Sequence, residues 1–111
     1  MSESAARYDF VRHMGETKNI FLTRKDAARA PIDLTGYAAA LEIREGEAPR
    51  CVLTTANGGI LLTGAASGQF EIDPSHALYQ ALARGVYQYT LMLIPPNGES
   101  SALMFGEWKI R

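Results

Sequence analysis

Groups able to do chemistry are few in this chain and thinly spread: two histidines, His13 and His76, one thiol, Cys51, and scattered carboxylates. The tightest set is Asp73-Pro74-Ser75-His76. It holds the three residue types of a hydroxyl nucleophile, its base and the acid that orients the base, with Ser67 as a second hydroxyl. A working relay needs side chains that converge, and a loop that stabilises an oxyanion. Asp73, Ser75 and His76 are instead neighbours where the pattern reads as a helix start, with Asp73 as the cap and Pro74 at the first helical position. Glu71 and Asp73 lie two apart on one face of a strand, as do Glu42 and Arg44. A carboxylate pair does acid–base work only where a cleft desolvates one member. On the solvent face of a sheet such charges keep an edge soluble, so no catalytic residue is assigned.

One thiol excludes an intrachain disulfide, and a zinc site would have to be built from Cys51, two distant histidines and carboxylates. No metal site and no cofactor are expected. Asn57-Gly58-Gly59 and Gly64 to Gly68 are glycine-rich, but no Gly-Lys-Ser/Thr follows and no long helix begins there, so they are turns and not phosphate loops. Cys51 sits in an alternating strand as a small buried hydrophobe. Trp108, Tyr87 and Tyr89 have the rings that stack on sugars, yet their inward positions in strong strands place them in the core.

These residues need a scaffold, and its class follows from glycine-punctuated short apolar runs along 111 residues. A chain of this length forms one domain, 1–111, with residues 1–6 frayed, and buries roughly two-thirds of its unfolded surface without metal or disulfide. With 11 Lys and Arg against 12 Asp and Glu, and a formal charge of −1, it lacks the cationic surplus that displaces counterions from nucleic acid. No window approaches the ~20 apolar residues of a membrane span, and residues 1–7 show no secretory signal. The expected partners therefore include neither nucleic acid nor membrane, and the expected location is the cytoplasm until assembly.

Alternation predicts strands over 7–14, 17–24, 37–44, 50–55, 60–62, 69–72, 86–94 and 101–110. Tyr37, Ala39, Leu41 and Ile43 face inward in the third of these, and Tyr87, Tyr89, Leu91 and Leu93 in the strand over 86–94, which should be central. The second strand is apolar on both faces, through Ile20 and Leu22 against Phe21. One brief helix is expected after Pro74, with Ala77, Leu78, Ala81 and Leu82 on its apolar stripe. The fold class is all-β: an immunoglobulin-like antiparallel sandwich of about seven or eight short strands with one short helical corner.

The ordered motifs resemble a family of small β-sandwich domains of tailed bacteriophages and prophages, best known as the N-terminal domain of upper baseplate proteins. The resemblance is carried by Pro31-Ile32-Asp33-Leu34-Thr35-Gly36-Tyr37 leading into the strand that ends at Arg44. Asn57-Gly58-Gly59-Ile60, Gly68 to Ile72, Gly85-Val86-Tyr87-Gln88-Tyr89 and Gly106 to Ile110 follow in order. It covers the chain from about Thr17 onward. Thr90 departs from the pattern, standing where relatives often carry Asp, and the chain stops at Arg111 without the long C-terminal region of larger members. The resemblance implies a free-standing, non-catalytic assembly protein that enters a virion tail after synthesis in the host cytoplasm. Its implied partners are phage tail or baseplate proteins, with a homo-oligomer as a further expectation. Candidate contact residues are Phe21 and Thr23 on the second strand, and Leu103 and Phe105 on the outer face of the last. The alternative is a small carbohydrate- or protein-binding sandwich, which needs surface aromatics such as Trp108.

Overall fold

The computed structural model describes residues 6–25 and 28–111. The expected fraying of 1–6 therefore falls, Ala6 apart, outside the described residues, as do positions 26 and 27 of the loop before Pro31. The strands are β1 (Ala6–Arg7), β2 (Phe10–Arg12), β3 (Ile20–Thr23), β4 (Ala38–Glu45), β5 (Ala48–Thr54), β6 (Ile60–Gly64), β7 (Gln69–Ile72), β8 (Gly85–Ile94) and β9 (Ser101–Ile110). The one α-helix among them is α1 (Ala77–Gln80).

Two sheets face each other. The larger runs β1-β9-β8-β4-β5, with β2 also on β9, and the smaller runs β3-β7-β6. In chain order, β3 to β9 occupy the places of strands B, C, C′, D, E, F and G of an immunoglobulin sandwich, in which the G-F-C-C′ sheet packs on the B-E-D sheet. The pairs are antiparallel except at the N-terminal edge, where β1 and β2 run parallel to β9. A further hallmark is a tyrosine near the start of strand F whose hydroxyl reaches back to the chain. Tyr87 fills it: its hydroxyl donates to the Ala83 carbonyl oxygen at 2.8 Å.

The alternation read from the sequence is the alternation of burial. Ala39, Leu41 and Ile43 of β4, Tyr87, Tyr89, Leu91 and Leu93 of β8, and Trp108 and Ile110 of β9 lie in one core with Leu53, Ile60, Phe70 and Ile72. Trp108 is fully buried. Its ring packs on Phe10, Tyr79 and Tyr89 with centroids 4.6, 5.8 and 5.5 Å away. An aromatic side chain that removes ~200 Å² from water contributes about 5 kcal/mol at ~25 cal/mol per Å², so this cluster is a large part of what holds the core of the large sheet together. The Pro31–Gly36 phrase closes one end of the core. Leu34 is fully buried and its N–H donates to the Ala65 carbonyl. Asp33 Oδ1 accepts from the Thr35 N–H at 2.9 Å and its hydroxyl at 2.6 Å, which holds the Asp33 carboxyl below its usual range. Gly36 then turns the chain at φ 81°.

Three local expectations need correction. The first strand is two short pieces and not a continuous run over 7–14, because the chain kinks at Tyr8-Asp9. There the Asp9 carboxylate, and not a backbone carbonyl, accepts the Glu107 N–H at 2.9 Å, and the Tyr89 hydroxyl donates to the Tyr8 carbonyl. The helix is capped by His76 and not by Asp73: Nδ1 of His76 accepts the Leu78 N–H at 3.1 Å, so the helix starts later and shrinks to one turn. Its buried residue is Tyr79, followed by Leu82, while Leu78 is 47% exposed. The register between β8 and β9 shifts at Leu91 and Met92 of β8, which oppose Met104 and Ala102 of β9. The extra residue, Leu103, is therefore a β-bulge that re-aims its side chain.

Candidate functional site

The sequence-adjacent Asp73, Ser75 and His76 do not form a relay. The Ser75 hydroxyl donates to Asp73 Oδ1 at 2.5 Å, and the Ser75 N–H donates to the same oxygen. Both nitrogens of His76 are engaged elsewhere, Nδ1 with the Leu78 N–H and Nε2 with the Asn57 carbonyl at 2.9 Å. Because Nδ1 accepts, Nε2 carries the proton and donates. His76 thus ties α1 to the Asn57 turn, which Asn57 itself builds: its Oδ1 accepts from the Thr54 and Gly59 N–H groups, and its Nδ2 donates to the Val52 carbonyl. Glu71 lies on the outer face of the small sheet, accepting from Asn19 Nδ2 at 2.9 Å.

Cys51 is buried, and desolvation pushes its thiol up to about 11, away from the range in which a thiolate acts as nucleophile. Among the described residues, no group of three or more His, Cys, Asp or Glu side chains comes together to hold a metal ion. No helix among them is long and apolar enough to cross a membrane. Trp108 directs its indole N–H to the Tyr79 hydroxyl at 2.8 Å inside the core, so its ring presents nothing to a sugar.

What remains accessible is the outer face of each sheet. Phe21, 69% exposed, stands in register with Glu71 and Leu61 across β3, β7 and β6. Thr23 pairs with Gln69 at the next outward position. Phe21, Thr23, Thr63 and Gln69 border a depression of about 390 Å³. Phe105 belongs to the other side of the molecule, on the large sheet. Of the four candidate contact residues the structure therefore brings Phe21 and Thr23 together, and sets Phe105 on the opposite face. Leu103, re-aimed by the bulge, packs partly against the core and does not stand beside Phe105 as an exposed pair.

The outer face of the large sheet is broader than the sequence suggested. One row across the strands reads Arg7, Phe105, Thr90, Glu42, Val52, and the next reads Glu107, Gln88, Arg44. Arg7, Arg44, Gln88, Thr90, Phe105 and Glu107 line a groove of about 480 Å³. Arg44 donates to Glu42 Oε1 at 2.9 Å and to the Thr90 hydroxyl at 3.1 Å, so Thr90 here serves as an anchor for an arginine. Arg7 lies 3.4 Å from Asp9 and Lys109 3.8 Å from Glu107. Alternation places Glu42, Arg44 and Phe105 outward, but nothing in the sequence sets the register that aligns Arg7 with Phe105. Comparison of the chain with known protein families, curated proteins and solved structures gives no match.

Proposed function

We propose that this chain is a non-catalytic structural domain that assembles into the tail or baseplate of a phage or prophage, made in the host cytoplasm and then carried in the particle. The observation that supports the reading is that the motifs Pro31 to Arg44, Asn57 to Ile60, Gly68 to Ile72 and Gly85 to Tyr89 each join a turn to a strand of one sandwich, with Gly106 to Ile110 forming the second half of β9. The side chains with chemical potential support it as well. His76, Asp73, Ser75 and Asn57 are used to build turns, which leaves the sheet faces, edges and loops as the means of action. Docking to tail proteins falls to the small sheet, where an aromatic as exposed as Phe21 contributes apolar area that a partner can cover. A carbohydrate-binding module is disfavoured because the ring on which that alternative rests, Trp108, is fully buried.

The test is co-purification. Tagged wild-type chain and the Phe21→Glu variant are expressed in the producing cells during tail synthesis, and associated proteins are identified by mass spectrometry. Recovery of tail or baseplate proteins with the wild type, and their loss with the variant, is the expected result. A folded wild-type chain that retains no tail protein overturns the proposal.

A further inference from the structure

We infer that the outer face of the large sheet is a self-association surface that takes a second copy of this chain, related by a two-fold axis parallel to the strands. The inference stands apart from the tail assignment, because it rests on how charge is laid out across the strands. In the row through Phe105, a cation lies at one side, Arg7 on β1, and an anion at the other, Glu42 on β4. One row along, the order is reversed: the anion Glu107 lies on β9 and the cation Arg44 on β4. This is a quadrupole, with like charges on the diagonals. A face carrying it has no net charge to attract a strongly charged partner, but it is complementary to its own image.

An axis between the copies, running midway between β8 and β9, places β1 over the partner's β4 and β9 over the partner's β8. Arg7 then meets the partner's Glu42, and the partner's Arg7 meets Glu42, as an isologous contact requires. Arg44 comes over the partner's Asp9, with the partner's Glu107 one strand further in. Phe105, 39% exposed, comes over the partner's Thr90, and Met92 over the partner's Ala102, so large side chains face small ones. The face formed by β1 and β2, β9, β8 and β4, at about 4.8 Å between strands and about 3.4 Å per residue, covers roughly 540 Å² in projection. Two such faces bury about 1,100 Å², the size of a weak, reversible interface. Glu42 is bridged to Arg44 within one copy, so the paired state extends existing ion pairs into a four-charge cluster at each end.

The test uses charge reversal and sedimentation equilibrium at micromolar concentration and low salt. The wild type is expected at twice the chain mass. Arg7→Glu and Glu42→Arg each bring like charges together twice in a dimer and should weaken association at least about tenfold. The double variant, and an equimolar mixture of the two single variants, should recover it, because each restores both opposite-charge contacts. Both positions are solvent-accessible, with side chains 60% and 42% exposed, and circular dichroism of each variant confirms that it is folded. A monomeric wild type, a dimer indifferent to the single reversals, or a mixture that fails to associate overturns the inference.

Discussion

Replacing Tyr79 with phenylalanine removes one oxygen atom and leaves a buried donor without a partner. Trp108 has no exposed surface, and its indole N–H donates only to the Tyr79 hydroxyl, at 2.8 Å. Trp108 is sealed from solvent, so Tyr79→Phe should cost the desolvation penalty of an unsatisfied group, about 1–3 kcal/mol. Tyr87→Phe provides the control. It also removes a tyrosine hydroxyl bonded at 2.8 Å, but the acceptor is the carbonyl of Ala83, an exposed residue whose oxygen water can reach. That loss should be nearer ~0.5–1.5 kcal/mol. At about 4 °C per kcal/mol for a domain of this size, the two variants separate in thermal midpoint by several degrees. Trp108 is the only tryptophan, so urea unfolding followed by its fluorescence reports on the perturbed site, with far-ultraviolet circular dichroism as the global probe. The reasoning is refuted if Tyr79→Phe is within about 0.3 kcal/mol of the wild type, or is the milder of the two substitutions.

Gly106→Ala should unseat the N-terminal edge, because a Cβ there would press on the Tyr8 carbonyl and come within 2.6 Å of Asp9 Oδ1. The expected destabilisation is about 1–3 kcal/mol, with hydrogen-exchange protection lost first at the Tyr8 and Glu107 amides; unchanged protection there would count against it. Asn57→Asp keeps the Oδ1 acceptor and loses the donor to Val52, whereas Asn57→Ala loses all three side-chain bonds. Thermal midpoints should therefore fall in the order wild type, Asp, Ala. Native Cys51 should resist thiol labelling at pH 8 and react once unfolded; rapid labelling of the folded chain would show that the strand opens. Its thiol is raised to about 11 by desolvation, so the folded state favours the neutral form. The associated stability is intact below the ordinary value near 9 and declines as pH rises from there toward 11. Cys51→Ala should flatten that part of a pH titration of the urea midpoint.

The strands that the sequence predicts best are those whose periodicity is enforced by one buried face. β4, β8 and β7 alternate because each residue of the core set must turn toward Trp108, Phe70 or Leu41, and their bounds and inward residues follow from that alone. Where a side chain replaces the backbone in the ladder, alternation misleads. Asp9 takes the Glu107 N–H, so the first strand breaks at a residue that still fits the pattern. Leu103 illustrates the same limit: the sequence alternates through it, but the shift opposite Leu91 and Met92 moves it from the outer face to the core. At the helix, Asp73-Pro74 carries a strong cap signal, yet Asp73 spends its oxygen on Ser75 and the cap passes to His76. The outward positions of Phe21 and Phe105 were legible singly, from alternation in apolar strands, and both are exposed. Their separation onto opposite faces, and the diagonal arrangement of Arg7, Glu42, Arg44 and Glu107, depend on strand order and register. Those are set by long-range pairing and have no local signature.

The most direct test of the assembly role is to purify tail particles from the producing cells and measure this chain in them by quantitative mass spectrometry. The account predicts that it sediments with the particles at a copy number fixed relative to the major tail protein across preparations. A chain found wholly in the soluble fraction, with particles complete without it, would contradict the account.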